Sequence, residues 1–173
     1  MFSNSLKKYI RMIIPNVLLS LFATFATAKD VARVLPVLPE NVAWQNAILE
    51  SKKTLGAFKK KLNTINISDD TVPMVKVPLQ GRNRIANVWL LVIDTNASGF
   101  EGVIFEPLSE LPDLNVGDKL SIDDERVIDW SLNINGTMYG AYTMRYQRNK
   151  LSDAEKIEFD QYVGVKQWAE LKP

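Results

Sequence analysis

The chain has 173 residues, 46% hydrophobic and 24% charged, with 21 Lys+Arg against 20 Asp+Glu. That is the size of one compact domain with apolar residues enough for a real core. Cys and His are both absent, which removes disulfide scaffolds, thiol nucleophiles, Ser-His-Asp triads and the usual zinc ligands. A formal charge of +1 gives no basic field for nucleic acid.

Residues 1–28 read as a secretory signal. Lys7, Lys8 and Arg11 form a basic start, Met12 to Phe25 an apolar stretch, and Ala26-Thr27-Ala28 a small-residue close. The uncharged span is shorter than the ~20 residues a membrane-crossing helix needs, and it contains Pro15 and Asn16. Cleavage after Ala28 is expected, which ends contact with a membrane; the alternative is an uncleaved segment retained as a tether. The remainder carries 18 Lys+Arg and 20 Asp+Glu, a formal charge of −2. No polybasic surface for DNA or anionic lipid remains.

Residues 29–40 hold two prolines among valines and leucines and read as an extended linker. A single α+β domain is expected over residues 41–173. Trp44, Ile48, Leu55, Phe58 and Leu62 form one stripe of an amphipathic helix, with Lys59, Lys60 and Lys61 at its dipole-matched end. Val72 to Leu79 alternates, with Val75, Val77 and Leu79 on one side. Val88 to Ile93 is a continuous apolar run that predicts a central strand covered on both faces. Asp94 to Gly99 is turn chemistry, and Phe100 to Glu106 returns as a strand. Gly117-Asp118 turns into a further strand, Lys119 to Ile122.

Asn135-Gly136 is a strong hairpin signal between Trp130–Ile134 and Thr137–Tyr146. Its facing parity puts Trp130, Leu132, Ile134, Tyr139 and Ala141 on the core side. Asp129, Ser131 and Asn133 then share the other side with Met138, Gly140 and Tyr142. Ser152-x-x-Glu155 is a capping box opening a final helix that Gly164 stops.

No constellation carries an evident chemistry. The acidic stretch Asp118 to Asp129 lacks the spacing of a calcium loop and includes Lys119 and Arg126, so it reads as a solvated turn. No phosphate-binding glycine loop and no Ser-x-x-Lys stand in the sequence. Nine Trp and Tyr residues lack interleaved Lys and Arg in the strands, so core packing explains them better than base stacking. No metal or cofactor is expected. Paired carboxylates are the one His-free acid–base arrangement left, and Glu106 with Asp129 is the pair nominated, both standing at ends of strand-rich segments.

A set of short motifs in fixed order does resemble a known family. Ala47 to Phe58 carries the helix motif, followed by Lys76-Val77-Pro78, Val88-Trp89-Leu90 and Gly102 to Pro107. Val116 to Leu120, Asp129-Trp130 and Gly140 to Arg145 complete it. This resembles the bacterial YegJ-like family, a domain of unknown function in small exported proteins. Ala86-Asn87-Val88 depart from it where members often carry an acidic residue and His before the Trp. The resemblance implies a bacterial envelope protein and brings no catalytic assignment. Inhibitor or immunity-type roles enter only as analogy with other small domains of this sort.

The fold expected is α+β: an amphipathic helix packed on a bent antiparallel sheet of five or six strands, curling toward a barrel, with a short C-terminal helix. The function expected is a non-catalytic periplasmic or secreted binding module for a protein or peptide. Its binding candidates are Asp129, Ser131, Asn133, Tyr142 and Glu106. The alternative is a small hydrolase of an envelope glycan using Glu106 and Asp129.

Overall fold

The computed structural model describes residues 41–65, 70–81, 84–109 and 111–170; the expected leader and linker, residues 1–40, lie outside them. Helix α1 (Val42–Thr64) starts where the Asn41 side chain accepts from the Trp44 amide at 3.1 Å. It buries Trp44, Ser51, Leu55, Phe58 and Leu62, the expected stripe with Ser51 in it and Ile48 only half-buried.

The strands are β1 (Thr71–Gln80), β2 (Ile85–Thr95), β3 (Gly99–Val103), β4 (Lys119–Asp123), β5 (Asp129–Ile134), β6 (Thr137–Gly140) and β7 (Gln167–Trp168). They form one open sheet in the order β4-β3-β2-β1-β5-β6-β7, antiparallel except for the parallel β6–β7 pair. The expected sheet of five or six strands therefore has seven, and it does not close into a barrel. The seventh strand is the C-terminal tail, which two residues suffice to pair beside β6.

One face of the sheet packs on α1, and the β2-β1-β6-β7 part of the other carries a second cluster. Val75, Val77 and Leu79 of β1 join Leu90, Trp130 and Leu132 against Leu55, Phe58 and Leu62 of α1. On the second face Met138 packs with Met144, Phe159 and Val165, flanked by Met74, Trp89 and Trp168. Alternation along β1 thus separates two apolar clusters, as a sheet buried on two sides requires.

Trp130 is the centre of the first cluster. It is fully buried, with its ring stacked 4.8 Å from that of Phe58, and its Nε1 donates to the Ser51 carbonyl at 3.1 Å. Burying such a ring is worth about 2–3 kcal/mol, and the aromatic stack adds about 1 kcal/mol.

The second hairpin arm departs from expectation. β6 ends at Gly140, and residues expected to continue it form helix α2 (Tyr142–Arg148). Gly140 (φ +66°) and Ala141 (φ +55°) are consecutive left-handed residues that turn the chain off the sheet. Helix α3 (Asp153–Tyr162) follows, with the expected Ser152–Glu155 capping box formed and Gly164 at φ +68° beyond its end. The β5–β6 turn itself is as expected, with Ile134 opposite Thr137 and Leu132 opposite Tyr139.

A Cβ at Gly140 would lie 2.5 Å from Trp130 Cε3, on a backbone that already disfavours side chains. Gly140→Ala is therefore expected to cost about 2–4 kcal/mol in urea unfolding, combining left-handed strain and overpacking. Gly56, inside α1 with nothing within 4 Å of such a Cβ, gives the opposite sign. Gly56→Ala should raise stability by about 0.5–1 kcal/mol, measured in the same titration.

Candidate functional site

The polar centre of the molecule lies between β1 and β5. Lys76 and Asp129 are direct cross-strand partners, 6% and 0% exposed respectively. Two charges in so dry a place need close partners. Asp129 has four donors: the Trp130 amide (2.8 Å), the Tyr142 amide (3.2 Å), and the Thr143 amide (2.7 Å) and hydroxyl (2.6 Å).

Two of those amides open α2. Ala141, at the N-cap position, has no side-chain oxygen, so the carboxylate that satisfies the first turn comes from β5 instead. Asp129 is a helix cap supplied across the fold.

The Thr143 hydroxyl donates to Asp129 and accepts from Lys76 Nζ at 3.3 Å, which links the two charged groups. The Lys76 ammonium also lies 5.0 Å from the Trp44 ring centre and 5.4 Å from that of Trp89. Burial pulls Lys76 down to about 8, against the opposing pull of Asp129. Burial likewise pushes the Asp129 carboxyl upward, opposed by Thr143 and Lys76. An amine lowered to about 8 beside a hydroxyl and a carboxylate has the composition of a proton-transfer centre. Its enclosure argues for a structural role, since Asp129 and Thr143 are both 0% exposed.

The sequence-nominated residues do not form one open face. Ser131 is fully buried, and its hydroxyl finds no hydrogen-bond partner among the described residues. Asn133 accepts from the Gly136 amide at 2.8 Å and donates to the Gly164 carbonyl at 3.0 Å, tying the hairpin turn to the end of α3. Tyr142 sits on α2, not on a strand. Its ring meets Trp130 edge-on at 6.0 Å, and its hydroxyl is 3.0 Å from Thr54 Oγ1. The expected exposed face is thus taken up by Asp129 capping α2 and by the second apolar cluster.

Glu106 is half-buried in the loop after β3. Strands β2 and β1 separate β3 from β5. Asp129 is fully buried and committed to four donors, so it presents no open carboxylate for a bond shared with Glu106. The acids of the 118–129 stretch are also dispersed: Asp118 accepts from the Asn115 amide, Asp124 pairs with Lys59, and Asp129 caps α2.

Sequence reasoning missed Lys76 and Thr143. Lys76 left one signal, a single charge in the middle of an apolar strand. It also missed an open depression of about 390 Å³ at the β1–β2 end of the sheet. Leu79, Leu111, Pro112, Leu114 and Leu120 line it, with Gln80, Gly81 and Asp113. Residues 111–114 supply half of its lining. Ile85, opposite Gln80 and 63% exposed, carries apolar surface onward from that end. Among the described residues no helix is long and apolar enough to cross a membrane.

Two measurements test the buried pair. Lys76 has a lower pKa folded than unfolded, so between about 8 and 10 the unfolded chain holds more protons. Stability must therefore rise with pH across that window. The urea midpoint should increase from pH 8 to pH 10, and Lys76→Met should abolish that slope. Tyr142, raised above 10.0 by burial, acts with the opposite sign only beyond the window. Asp129→Asn turns one of the two acceptor oxygens into an NH2 that faces two donors, and leaves Lys76 buried without its counter-charge. It should cost about 3 kcal/mol in the same assay and speed hydrogen exchange at the Tyr142 and Thr143 amides.

No curated protein and no solved structure matches the chain. One family does match, over residues 41–167, which runs from the first residue before α1 to the start of β7. The chain belongs to that family, described as an uncharacterized protein conserved in bacteria (DUF2314).

Proposed function

We propose that the protein is a non-catalytic binding module of the bacterial envelope, exported and processed after Ala28, that takes an extended apolar peptide segment of an envelope protein. The leucine-lined depression carries this reading. It is open to solvent, its volume of about 390 Å³ accommodates two or three aliphatic side chains, and polar groups stand at its margin. The flanking β1–β2 end offers Ile85 as a further apolar contact. The basic, apolar and small-residue pattern of residues 1–28 supports export, and bacterial family membership is consistent with it.

The polar centre supports the same reading indirectly. Its carboxylate is committed to four donors and its lysine to two aromatic rings, so these groups serve the frame that holds the depression. Pro112 is exposed at the depression, whereas Ile157, 60% exposed on α3, belongs to no part of it.

The test is in-cell photocrosslinking with a benzophenone amino acid in place of Pro112, and in place of Ile157 as control. The expected result is one protein adduct from position 112 in the envelope fraction, weakened by Leu114→Glu and missing from position 157. The same sample should give an intact mass beginning at Lys29. No adduct, or equal adducts from both positions, would overturn the docking site. A mass retaining residues 1–28 would overturn processing.

A further inference from the structure

We propose that the outer edge of β4 is self-complementary, and that two copies of the chain pair there antiparallel with Ser121 on the two-fold axis. β4 ends the sheet, and among the described residues no strand pairs with its outer side. The Asp124 amide donates to the Ser98 carbonyl, and the Ile104 amide to the Asp118 carbonyl. Even-numbered residues of β4 therefore turn their backbone groups toward β3. By antiparallel alternation, Lys119, Ser121 and Asp123 turn theirs outward.

A second copy placed in register around Ser121 sets Lys119 opposite Asp123 of the other chain, twice. Leu120 then stands opposite Ile122, and Ser121 opposite Ser121. All three outward residues meet as hydrogen-bonded pairs, so the ladder closes without a bulge. Each cross-strand position matches in kind: opposite charges at both ends, aliphatic residues inside them, a small hydroxyl at the axis.

Edge strands are commonly protected by charges of one sign, which repel a second copy. Here the two ends carry opposite signs, so the same charges attract in the antiparallel register and repel in a parallel one. Lys119, Ser121 and Asp123 are exposed. Lys119 lies 3.0 Å from Glu101 on β3, so in the dimer its ammonium would be shared between that carboxylate and Asp123 of the second copy. The Gly117 turn on one side and the 3₁₀ turn Asp124–Arg126 on the other limit the pairing to five residues. An edge of that length makes a weak dimer, with a dissociation constant on the order of 0.1 mM.

Sedimentation velocity over a concentration series reads the association directly. The unsubstituted protein should move from monomer to dimer between about 10 µM and 1 mM, with slower exchange at the Ser121 amide in the dimer. Lys119→Asp alone, and Asp123→Lys alone, each place like charges opposite one another. Each should raise the dissociation constant about tenfold or more. Mixed together, these two variants restore opposite charges at both positions and should form a heterodimer at least as readily as the unsubstituted protein. A protein that stays monomeric at 1 mM overturns the proposal. So do single variants that dimerise unchanged, or a mixture that does not associate.

Discussion

A carboxylate with no exposure to water has to be surrounded by donors, and Asp129 dictates how the chain is arranged to supply them. Two come from the first turn of α2, which fixes where the chain must leave β6. One comes from Trp130, whose ring is thereby held in the α1 cluster. The Thr143 hydroxyl passes the arrangement on to Lys76, and the Lys76 ammonium in turn sits over Trp44 from α1 and Trp89 from β2. Five elements meet at the linked Asp129–Thr143–Lys76 group. Replacing the whole set with apolar side chains need not weaken the fold, but removing one member leaves another buried and unpaired. The arrangement gives α2 a single permitted position.

That position has a cost at Gly140. The turn that delivers the Tyr142 and Thr143 amides to Asp129 brings the backbone of Gly140 onto the Trp130 ring. Only a residue without Cβ allows both the left-handed turn and the contact. Glycine at 140, tryptophan at 130 and aspartate at 129 are one mutually dependent unit. Arg145 reinforces it from α2, its Nε donating to the Gly140 carbonyl at 2.7 Å and a terminal nitrogen to the Ala169 carbonyl at 2.6 Å. The C-terminal tail is thereby fastened beside β6.

Period and turn chemistry made most of the frame legible. The α1 stripe, the β1 alternation, the Asn135-Gly136 turn and the Ser152 capping box are local patterns, each contained within a few residues. Helix α2 was not legible because its cap is not local. Ala141 offers no oxygen, and the capping carboxylate lies on another strand. A run such as Tyr142-Thr143-Met144-Arg145-Tyr146 also carries side chains that favour strands. The hairpin parity was read correctly for Asp129 and Ser131, yet a residue pointing away from one core was pointing into a second. The seven-stranded sheet hid in the same way, since a two-residue strand has no periodicity to read. The depression joins Leu79 to residues 111–114 and Leu120, far apart in the chain, and no spacing in the sequence announces that contact.

With α1 packed on one face of the sheet and the α2–α3 region on the β2-β1-β6-β7 part of the other, the two proposed surfaces lie at an end and an edge. The leucine-lined depression is at an end, and β4 is at an edge. Leu120 belongs to both: its side chain lines the depression, and its backbone lies in the strand that would pair with a second copy. In the antiparallel register Leu120 stands opposite Ile122 of the other chain, so each depression would open beside the seam. One half-buried leucine therefore belongs to both proposed surfaces, by its side chain to the depression and by its backbone to the edge.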